Sequence, residues 1–145
     1  MDLFSRKIIA WTLSTTLEAK WIVETISKAK KIRRISKPLV FHSDRGIQYL
    51  SKECKEVTKG MINSYSKKAF PWDNACIESF HALIKREWLN RFKIDNYDHA
   101  YRLVFEYIEA FYNTVRIHSH CGYLSPDQYE IVYKKELADT QKRVS

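Results

Sequence analysis

The hydrophobic and polar positions of this chain form two patterns, short apolar runs and longer segments with helical spacing. The short runs are SRKIIAWTLS (residues 5–14), PLVF (38–41) and INSYS (62–66). Apolar, β-prone runs of this length predict strands. The first strand would begin almost at residue 1, so it needs a neighbouring strand to satisfy its backbone groups.

Five longer segments show the spacing of amphipathic helices. They cover residues 15–32, 51–61, 72–92, 96–115 and 125–135. Thr15 or Thr16 is a suitable N-cap for the first helix, and Ser125 with Pro126 suits the start of the last. The expected buried stripes are Leu17, Trp21, Ile22 (or Val23), Ile26 and Ala29 in the first helix, Ile77, Phe80, Ile84 and Trp88 in the third, and Tyr97, Tyr101, Val104, Ile108, Phe111 and Val115 in the fourth.

The order of these elements predicts an α/β fold, because strands and helices alternate before a final run of helices. The chain has 145 residues, which is enough for one domain with a hydrophobic core. We expect this domain to cover residues 1–137, with a polar, frayed tail over residues 138–145.

The charge of the chain is strongly basic. Lysine and arginine total 25 against 17 aspartate and glutamate residues, a net charge of +8. Such an excess favours polyanions such as nucleic acid, although a solubilising surface explains it equally well. Several cations crowd the end of the first helix, where the helix dipole alone favours them. They are Lys28, Lys30, Lys31, Arg33, Arg34 and Lys37.

Cysteine usage and hydropathy bear on the cellular compartment. Cys54, Cys76 and Cys121 are odd in number and far apart, which favours a reduced cytosolic setting over a disulfide framework. No apolar stretch reaches the length of a membrane span, and the N-terminus lacks the pattern of a signal peptide. These features predict a cytoplasmic protein without a membrane partner.

Candidate chemistry is concentrated at the exit of the second predicted strand and on one helix. Asp44 follows the PLVF run at the strand end where α/β sheets bind ligands, and Gly46 lets the backbone turn away. Farther on, Glu78, His81 and Lys85 share one helix face, opposite the apolar stripe. That face could hold a metal and contact phosphate, or it could simply be solvated.

Three stretches together resemble the integrase-like (DDE) catalytic core of transposases carried by bacterial insertion sequences. They are VFHSDRGIQYLS, WDNACIESFHALIKREWL and FYNTVRIHSHCGYLSPDQY, and DLFSRKIIAW at the start resembles the second and third strands of that core. The likeness runs from Asp2 to about Tyr133. It implies a ribonuclease H-like, retroviral integrase-like fold, with a mixed sheet flanked by helices.

The resemblance also implies a site and an activity. In this family three acidic side chains bind two divalent cations, Mg²⁺ or Mn²⁺, for cleavage and strand transfer at element ends. Asp44 matches the second acid and Glu78 the third. Lys85 and Arg45 match basic positions of the family that would contact DNA, although Arg45 could instead contact Asp44. We also expect DNA contacts from His81, on the same helix face as Lys85, and from Lys67 and Lys68 in the loop before the third acid, although exposure alone would explain these two lysines. The partners implied by the resemblance would be element ends, target DNA and further copies of the chain, in the bacterial cytoplasm near the nucleoid.

The departures from the family pattern matter as much as the match. The family's first acid lies on a strand upstream of DLFSR, and Asp2 matches a turn residue rather than that acid. We therefore expect an N-terminally truncated core that lacks the first strand and does not nick DNA by itself. Ala69 and Pro71 stand where relatives carry a glycine-containing loop, which Pro71 should stiffen. The competing hypothesis is a non-catalytic DNA-binding or interaction fragment, or a decaying relic.

Two further features leave alternatives open. His118, His120 and Cys121 in RIHSHC could suggest zinc, but their spacing fits no common zinc pattern. With Asn113 and Arg116, His118 more readily caps the last helices or contacts DNA. Trp72 could stack on bases, but aromatic residues at helical spacing usually belong to a core.

Overall fold

The computed structural model describes residues 1–33, 38–68 and 70–144, so Arg34, Lys37 and Ala69 lie outside the described residues. It forms two compact units, a first unit of Met1–Ile8 with Phe80–Ser145 and a second unit of Ile9–Ser79. The elements are α1 (Ala19–Arg33), β1 (Val40–Ser43), α2 (Lys52–Val57), β2 (Ile62–Tyr65), α3 (Ala75–Glu87), α4 (Tyr97–Phe105) and α5 (Pro126–Val144). None of the helices in this part of the chain combines the length and the apolar character that crossing a membrane requires.

The second unit contains a parallel pair of strands. Strand β1 pairs with β2 in a register that places His42 opposite Ser64 and Ser43 opposite Tyr65. Strands at PLVF and INSYS are therefore confirmed, although β1 begins two residues later than predicted and continues to Ser43. The expected mixed sheet is not, because over the described residues the sheet has these two strands alone and they are parallel.

Helices α1 and α2 lie beside each other in the second unit, and Lys30 Nζ donates to Val57 O at 2.9 Å. Ser51 caps α2 by accepting from Cys54 N at 3.1 Å, and the chain turns away at Gly60 with φ of 85°. Helix α1 begins later than predicted. Leu17 lies before it and is 88% exposed, so its place in the buried stripe was wrong.

Residues 5–14 do not form the predicted strand. Arg6 has a φ of 62°, outside the extended region, and residues 6–14 belong to neither a helix nor a strand. Instead, the buried Asn113 side chain bonds the backbone of Ile8: Ile8 N donates to Asn113 Oδ1 at 2.9 Å, and Asn113 Nδ2 donates to Ile8 O at 3.0 Å. One side-chain amide thus satisfies backbone groups that a strand neighbour would otherwise pair.

The turn at the start of the chain agrees with the role expected for Asp2. Phe4 N donates to Asp2 Oδ1 at 2.9 Å, and Asp2 N donates to Lys7 O at 2.8 Å. This is the local side-chain-to-backbone pattern that favours aspartate in turns. Asp2 is therefore a turn residue, as predicted.

The core of the first unit is aromatic. Phe80 and Ile84 of α3 are buried, as the predicted stripe required, and Phe80 meets the Tyr112 ring edge-on at 4.9 Å. The stripe predicted for the next helix was partly wrong, since Tyr97 and Tyr101 are exposed and Val115 is 60% exposed. The buried positions there are Leu103, Val104, Tyr107, Ile108 and Tyr112.

A π-helical segment follows α4. It covers Glu106–Tyr112, and Asn113 N donates to Ile108 O, five residues back, at 3.1 Å. Bonding from i to i+5 widens each turn, so the spacing of an ordinary α-helix does not hold beyond this segment, where Val115 is exposed. The exposed Tyr97 and Tyr101 lie before it, in α4 itself, so the π segment does not account for them.

A half-buried ion pair joins α3 to the chain after the π segment. Arg116 donates to Glu87 through Nε at 2.8 Å and Nη2 at 2.7 Å, and Tyr107 Oη donates to Glu87 Oε2 at 2.7 Å. The hydrogen bond from Arg116 holds the pKa of Glu87 below its usual range, whereas burial and the bond to Glu87 raise the pKa of Tyr107. Bidentate pairing of this kind fixes geometry as well as charge.

The last helix begins as predicted and ends later. Gln128 N donates to Ser125 Oγ at 3.3 Å, and Ser125 N donates to Gln128 Oε1 at 3.0 Å, a reciprocal capping box. Helix α5 then continues to Val144 rather than fraying after Leu137. The division into a domain over residues 1–137 and a separate tail stays a prediction.

Replacing Asn113 should destabilise the protein. Asn113→Ala leaves the N–H and C=O of the buried Ile8 without partners, so we expect the free energy of unfolding to fall by about 2–4 kcal/mol in urea denaturation. Thr114→Ala is the matched control, because it removes an exposed hydroxyl bonded to Ala110 O and should cost less than about 1 kcal/mol. Equal losses in both variants would contradict this role.

Acid should destabilise the first unit through His118. Burial, aided by the positive charge of Arg116, lowers the pKa of His118 from 6.5 to about 4. Between these values the unfolded chain binds more protons, so stability falls as the pH falls, by roughly 1–2 kcal/mol after allowing for solvent screening. Urea denaturation from about pH 7 to about pH 4.5 measures this. His118→Gln should flatten the dependence and the exposed His81→Gln should not; an unchanged slope in His118→Gln would refute the assignment.

Candidate nucleic-acid and metal site

The candidate site begins where strand β1 ends. Asp44 follows Ser43 directly and its side chain is exposed. Gly46 N donates to Asp44 Oδ1 at 2.9 Å, which closes a tight turn and leaves the second carboxylate oxygen outside this bond. A Cβ at position 46 would lie 3.0 Å from Asp44 Oδ1, so a larger residue here would push against the Asp44 carboxylate. The polar turn after the apolar strand therefore fixes an exposed carboxylate.

Arg45 is held by the neighbouring strand. Its Nε donates to Ser66 O at 3.0 Å, just beyond the end of β2. The sequence left a contact to Asp44 or to phosphate open, and this bond to the backbone is neither. Arg45 thus ties together the two chain segments that leave the parallel strands, while its side chain still lines the site.

His42 connects the same two segments from inside the sheet. Its Nδ1 shares a hydrogen bond with Ser64 Oγ at 2.9 Å, and its Nε2 shares one with Ser66 Oγ at 3.3 Å. The buried Ser66 also receives support from the strand, because Ser66 N donates to Ser43 O at 3.0 Å. The imidazole therefore orients Ser66, whose carbonyl in turn holds Arg45.

An open depression of about 350 Å³ lies at these strand ends. It is lined by Asp44, Arg45, Ser66, Lys67, Lys68, Phe70 and Asn74. Lys67 N donates to Asp73 Oδ2 at 2.9 Å, and Asp73 N donates to Phe70 O at 3.3 Å, so hydrogen bonds shape the far wall. One carboxylate and three cationic side chains consequently share one surface in the second unit.

The structure brings together four of the seven predicted site residues. Asp44, Arg45, Lys67 and Lys68 line the depression. Glu78 is not among the lining residues; it is exposed in the first turn of α3, four positions after Asn74.

His81 and Lys85 lie farther along α3, in the part that belongs to the first unit. Both are exposed, on a face that does not include the buried Phe80 and Ile84. The helix face predicted from the sequence is therefore present and solvent-accessible. Whether these two residues contact DNA stays a prediction.

The sequence did not single out Ser66, Phe70 or Asn74 as site residues. Asn74 could have been chosen as a site residue from the sequence, because it lies in the WDN stretch of the resemblance, between Asp73 and the start of α3. Ser66 and Phe70 could not have been, because their position depends on the register of β2 against β1. Nonlocal pairing of that kind is not encoded in local spacing.

The oxygen donors near Asp44 suit a hard divalent cation. Mg²⁺ is commonly held by one or two carboxylates together with substrate phosphate and water. Asp44 is exposed and Asn74 adds an amide oxygen to the same depression. Burial raises the pKa of Tyr49, and the charge of Asp44 raises it further. Over the described ranges no three His, Cys, Asp or Glu residues are grouped to hold a metal.

The RIHSHC stretch, considered above for zinc, makes intramolecular contacts in the first unit. The buried Cys121 donates through Sγ to Ser5 O at 3.4 Å, and His120 Nε2 lies 3.2 Å from Phe4 O. His118 meets the Tyr112 ring edge-on at 4.9 Å. These contacts tie the segment to the N-terminal turn and the aromatic core.

Sequence comparisons identify the family. Two profiles described as integrase core domain match the chain, one over residues 1–75 and the other over residues 59–126. This chain belongs to the integrase core domain family.

Individual relatives of this chain are named as transposases. The transposase for insertion sequence element IS904 of Lactococcus lactis subsp. lactis (strain IL1403) is 36% identical over 132 residues, which cover 90% of this chain and 52% of the relative. The transposase InsF for insertion sequence IS3A of Escherichia coli (strain K12) is also 36% identical over 132 residues, covering 90% of this chain and 46% of the relative. The chain thus spans about half the length of these curated relatives.

The second unit should depend for its stability on the His42 bridge, the pair of hydrogen bonds from the His42 ring to Ser64 Oγ and Ser66 Oγ. We expect His42→Ala to lower the free energy of unfolding by about 1–3 kcal/mol, because two serine hydroxyls lose a partner. A double-mutant cycle with Ser64→Ala, measured by urea denaturation, should give a coupling energy of about 0.5–1.5 kcal/mol. Strictly additive losses would show that the bond contributes nothing of its own.

Proposed function

We propose that this chain is the catalytic core of an insertion-sequence transposase, with a ribonuclease H-like fold, acting in DNA cleavage and strand transfer. The observation that carries the proposal is the depression at the ends of β1 and β2. There an exposed carboxylate, Asp44, lies with Arg45, Lys67 and Lys68 on one surface. Cations of this kind bind the phosphate backbone and position it, whereas specificity comes from base contacts.

The proposed roles divide between acids and cations. Asp44 and Glu78 would hold Mg²⁺ or Mn²⁺. When bound, the metal supplies charge stabilisation at the attacked phosphate and activation of the attacking oxygen. Lys67 and Lys68 would hold the phosphates on either side of the reacting one, while Arg45, anchored on Ser66 O, would keep the carboxylate turn in place. His81 and Lys85 would extend the backbone contacts along α3.

The substrate and partners follow from the same proposal. The relatives are named as transposases of insertion sequences, so the DNA would be element ends and a target site. Joining two ends requires more than one active site, which favours a homo-oligomer in the active complex. Such a protein would work on chromosomal DNA in the cytoplasm, at the nucleoid.

The competing candidate is a DNA-binding fragment without metal chemistry. It keeps the cations and the net charge of +8 but gives Asp44 and Glu78 no function. Salt-sensitive DNA binding occurs under both hypotheses, so binding alone does not separate them. Dependence of binding on a divalent cation does separate them, because only the first hypothesis uses the two carboxylates.

Mn²⁺ should strengthen DNA binding by the chain through Asp44 and Glu78. In fluorescence anisotropy with a labelled duplex at fixed ionic strength, we expect Mn²⁺ to raise affinity by about threefold to tenfold, since Asp44 and Glu78 would hold the ion and its charge would attract the DNA phosphates. Asp44→Asn and Glu78→Gln should each lose that gain, and their affinity measured with EDTA should equal or exceed that of the unchanged chain, because each removes a negative charge.

Glu53→Gln is the matched control, because it removes an exposed carboxylate of the second unit on α2. It should retain the full Mn²⁺ effect. A gain that survives in both Asp44→Asn and Glu78→Gln would refute their assignment as metal ligands and favour the non-catalytic fragment.

A further inference from the structure

Trp72 is the most exposed large aromatic side chain beside the depression. It lies in the short 3₁₀ turn Pro71–Asn74 and is 76% exposed. Phe70, which lines the depression, is 48% exposed. The alternative that Trp72 belongs to a core is therefore wrong, and the second unit presents two apolar rings to solvent.

The backbone around Trp72 is fixed by hydrogen bonds. Ala75 N donates to Trp72 O at the end of the turn, Asp73 N donates to Phe70 O at 3.3 Å, and Phe70 N donates to Lys67 O at 3.2 Å. Asp73 also reaches back to accept from Lys67 N at 2.9 Å. Because these bonds order the backbone of the turn, this backbone loses little conformational entropy when the ring binds a ligand.

The surroundings of the two rings define the ligand. Phe70 and Asn74 line the same depression as Arg45, Lys67 and Lys68, and Trp72 lies between them in sequence. Flat apolar rings next to clustered cations suit a ligand that carries both a planar face and negative charge. Unpaired nucleotides have this chemistry, because a base stacks on the ring while its phosphate meets lysine.

We propose that Trp72, aided by Phe70, is a stacking platform for unpaired bases next to the phosphate held at the depression. This inference rests on the proposed function and adds to it the class of DNA structure that the site prefers. A paired base inside the duplex cannot use the platform, because both of its faces are already covered by its neighbours. The preferred substrate is therefore DNA with an unpaired tail.

The test uses three labelled duplexes of identical paired sequence in fluorescence anisotropy. One is blunt, one carries a short thymidine tail, and one carries a tail of equal length made of abasic sites. The abasic tail keeps every phosphate and removes every base, so it separates stacking from charge. We expect the chain to bind the thymidine tail about fivefold to tenfold more tightly than the abasic tail.

Variants assign that preference to the ring. Trp72→Leu should bring the thymidine and abasic tails to equal affinity and leave blunt-duplex affinity unchanged, while Trp72→Phe should retain most of the preference. Tyr123→Leu is the matched control, because it removes a ring of similar exposure, 70%, from the first unit. Lys67→Ala with Lys68→Ala should weaken all three duplexes to the same degree.

The outcomes distinguish this inference from the proposed function. A wild-type chain with no preference for the thymidine tail, or a preference unchanged in Trp72→Leu, overturns the stacking platform. If Mn²⁺-dependent binding of the blunt duplex persists in that case, the proposed function stands without the platform. Failure to bind any of the three duplexes overturns both.

Discussion

The parallel pairing of β1 with β2 is the constraint on which the candidate site depends. Asp44 and Arg45 directly follow β1, and Ser66 and Lys67 directly follow β2. These residues meet at one edge of the sheet because the strands pair with His42 opposite Ser64. A two-stranded pair is only marginally stable in water without further support. The His42 bridge and the bond from Arg45 Nε to Ser66 O supply that support at the edge where the chemistry would occur.

Features set by neighbouring residues were predictable from the sequence. The turn at Asp44 needs a short acceptor and a glycine two positions later, and the capping box at Ser125 needs Gln128 three positions later. The exposed face of α3 follows from ordinary helical spacing, which its buried Phe80 and Ile84 obey. In each case the interacting groups lie within one turn of each other, so spacing alone carries the information.

Features set by distant residues were not predictable. Residues 5–14 have the composition of a strand, yet Ile8 is bonded by Asn113, which is 105 positions away. The π segment over Glu106–Tyr112 follows α4 without any change in composition that marks its wider turns. Phe70 and Ser66 enter the site through the register of β2. Local propensity therefore gives the tendency of a segment to form a strand or a helix, but it does not give the distant residues with which that segment pairs.

The charges at the depression would limit how DNA approaches it under the proposed function. Asp44 would repel a phosphate and Lys67 and Lys68 would attract it, so without metal the DNA backbone would be drawn to the lysines and held away from the carboxylate. A divalent cation held by Asp44 would reverse the sign of the charge there and remove that repulsion. A phosphate would then approach the carboxylate as well as the lysines. The acid and the cations would therefore act together in binding DNA, and neither would have its full effect without the other.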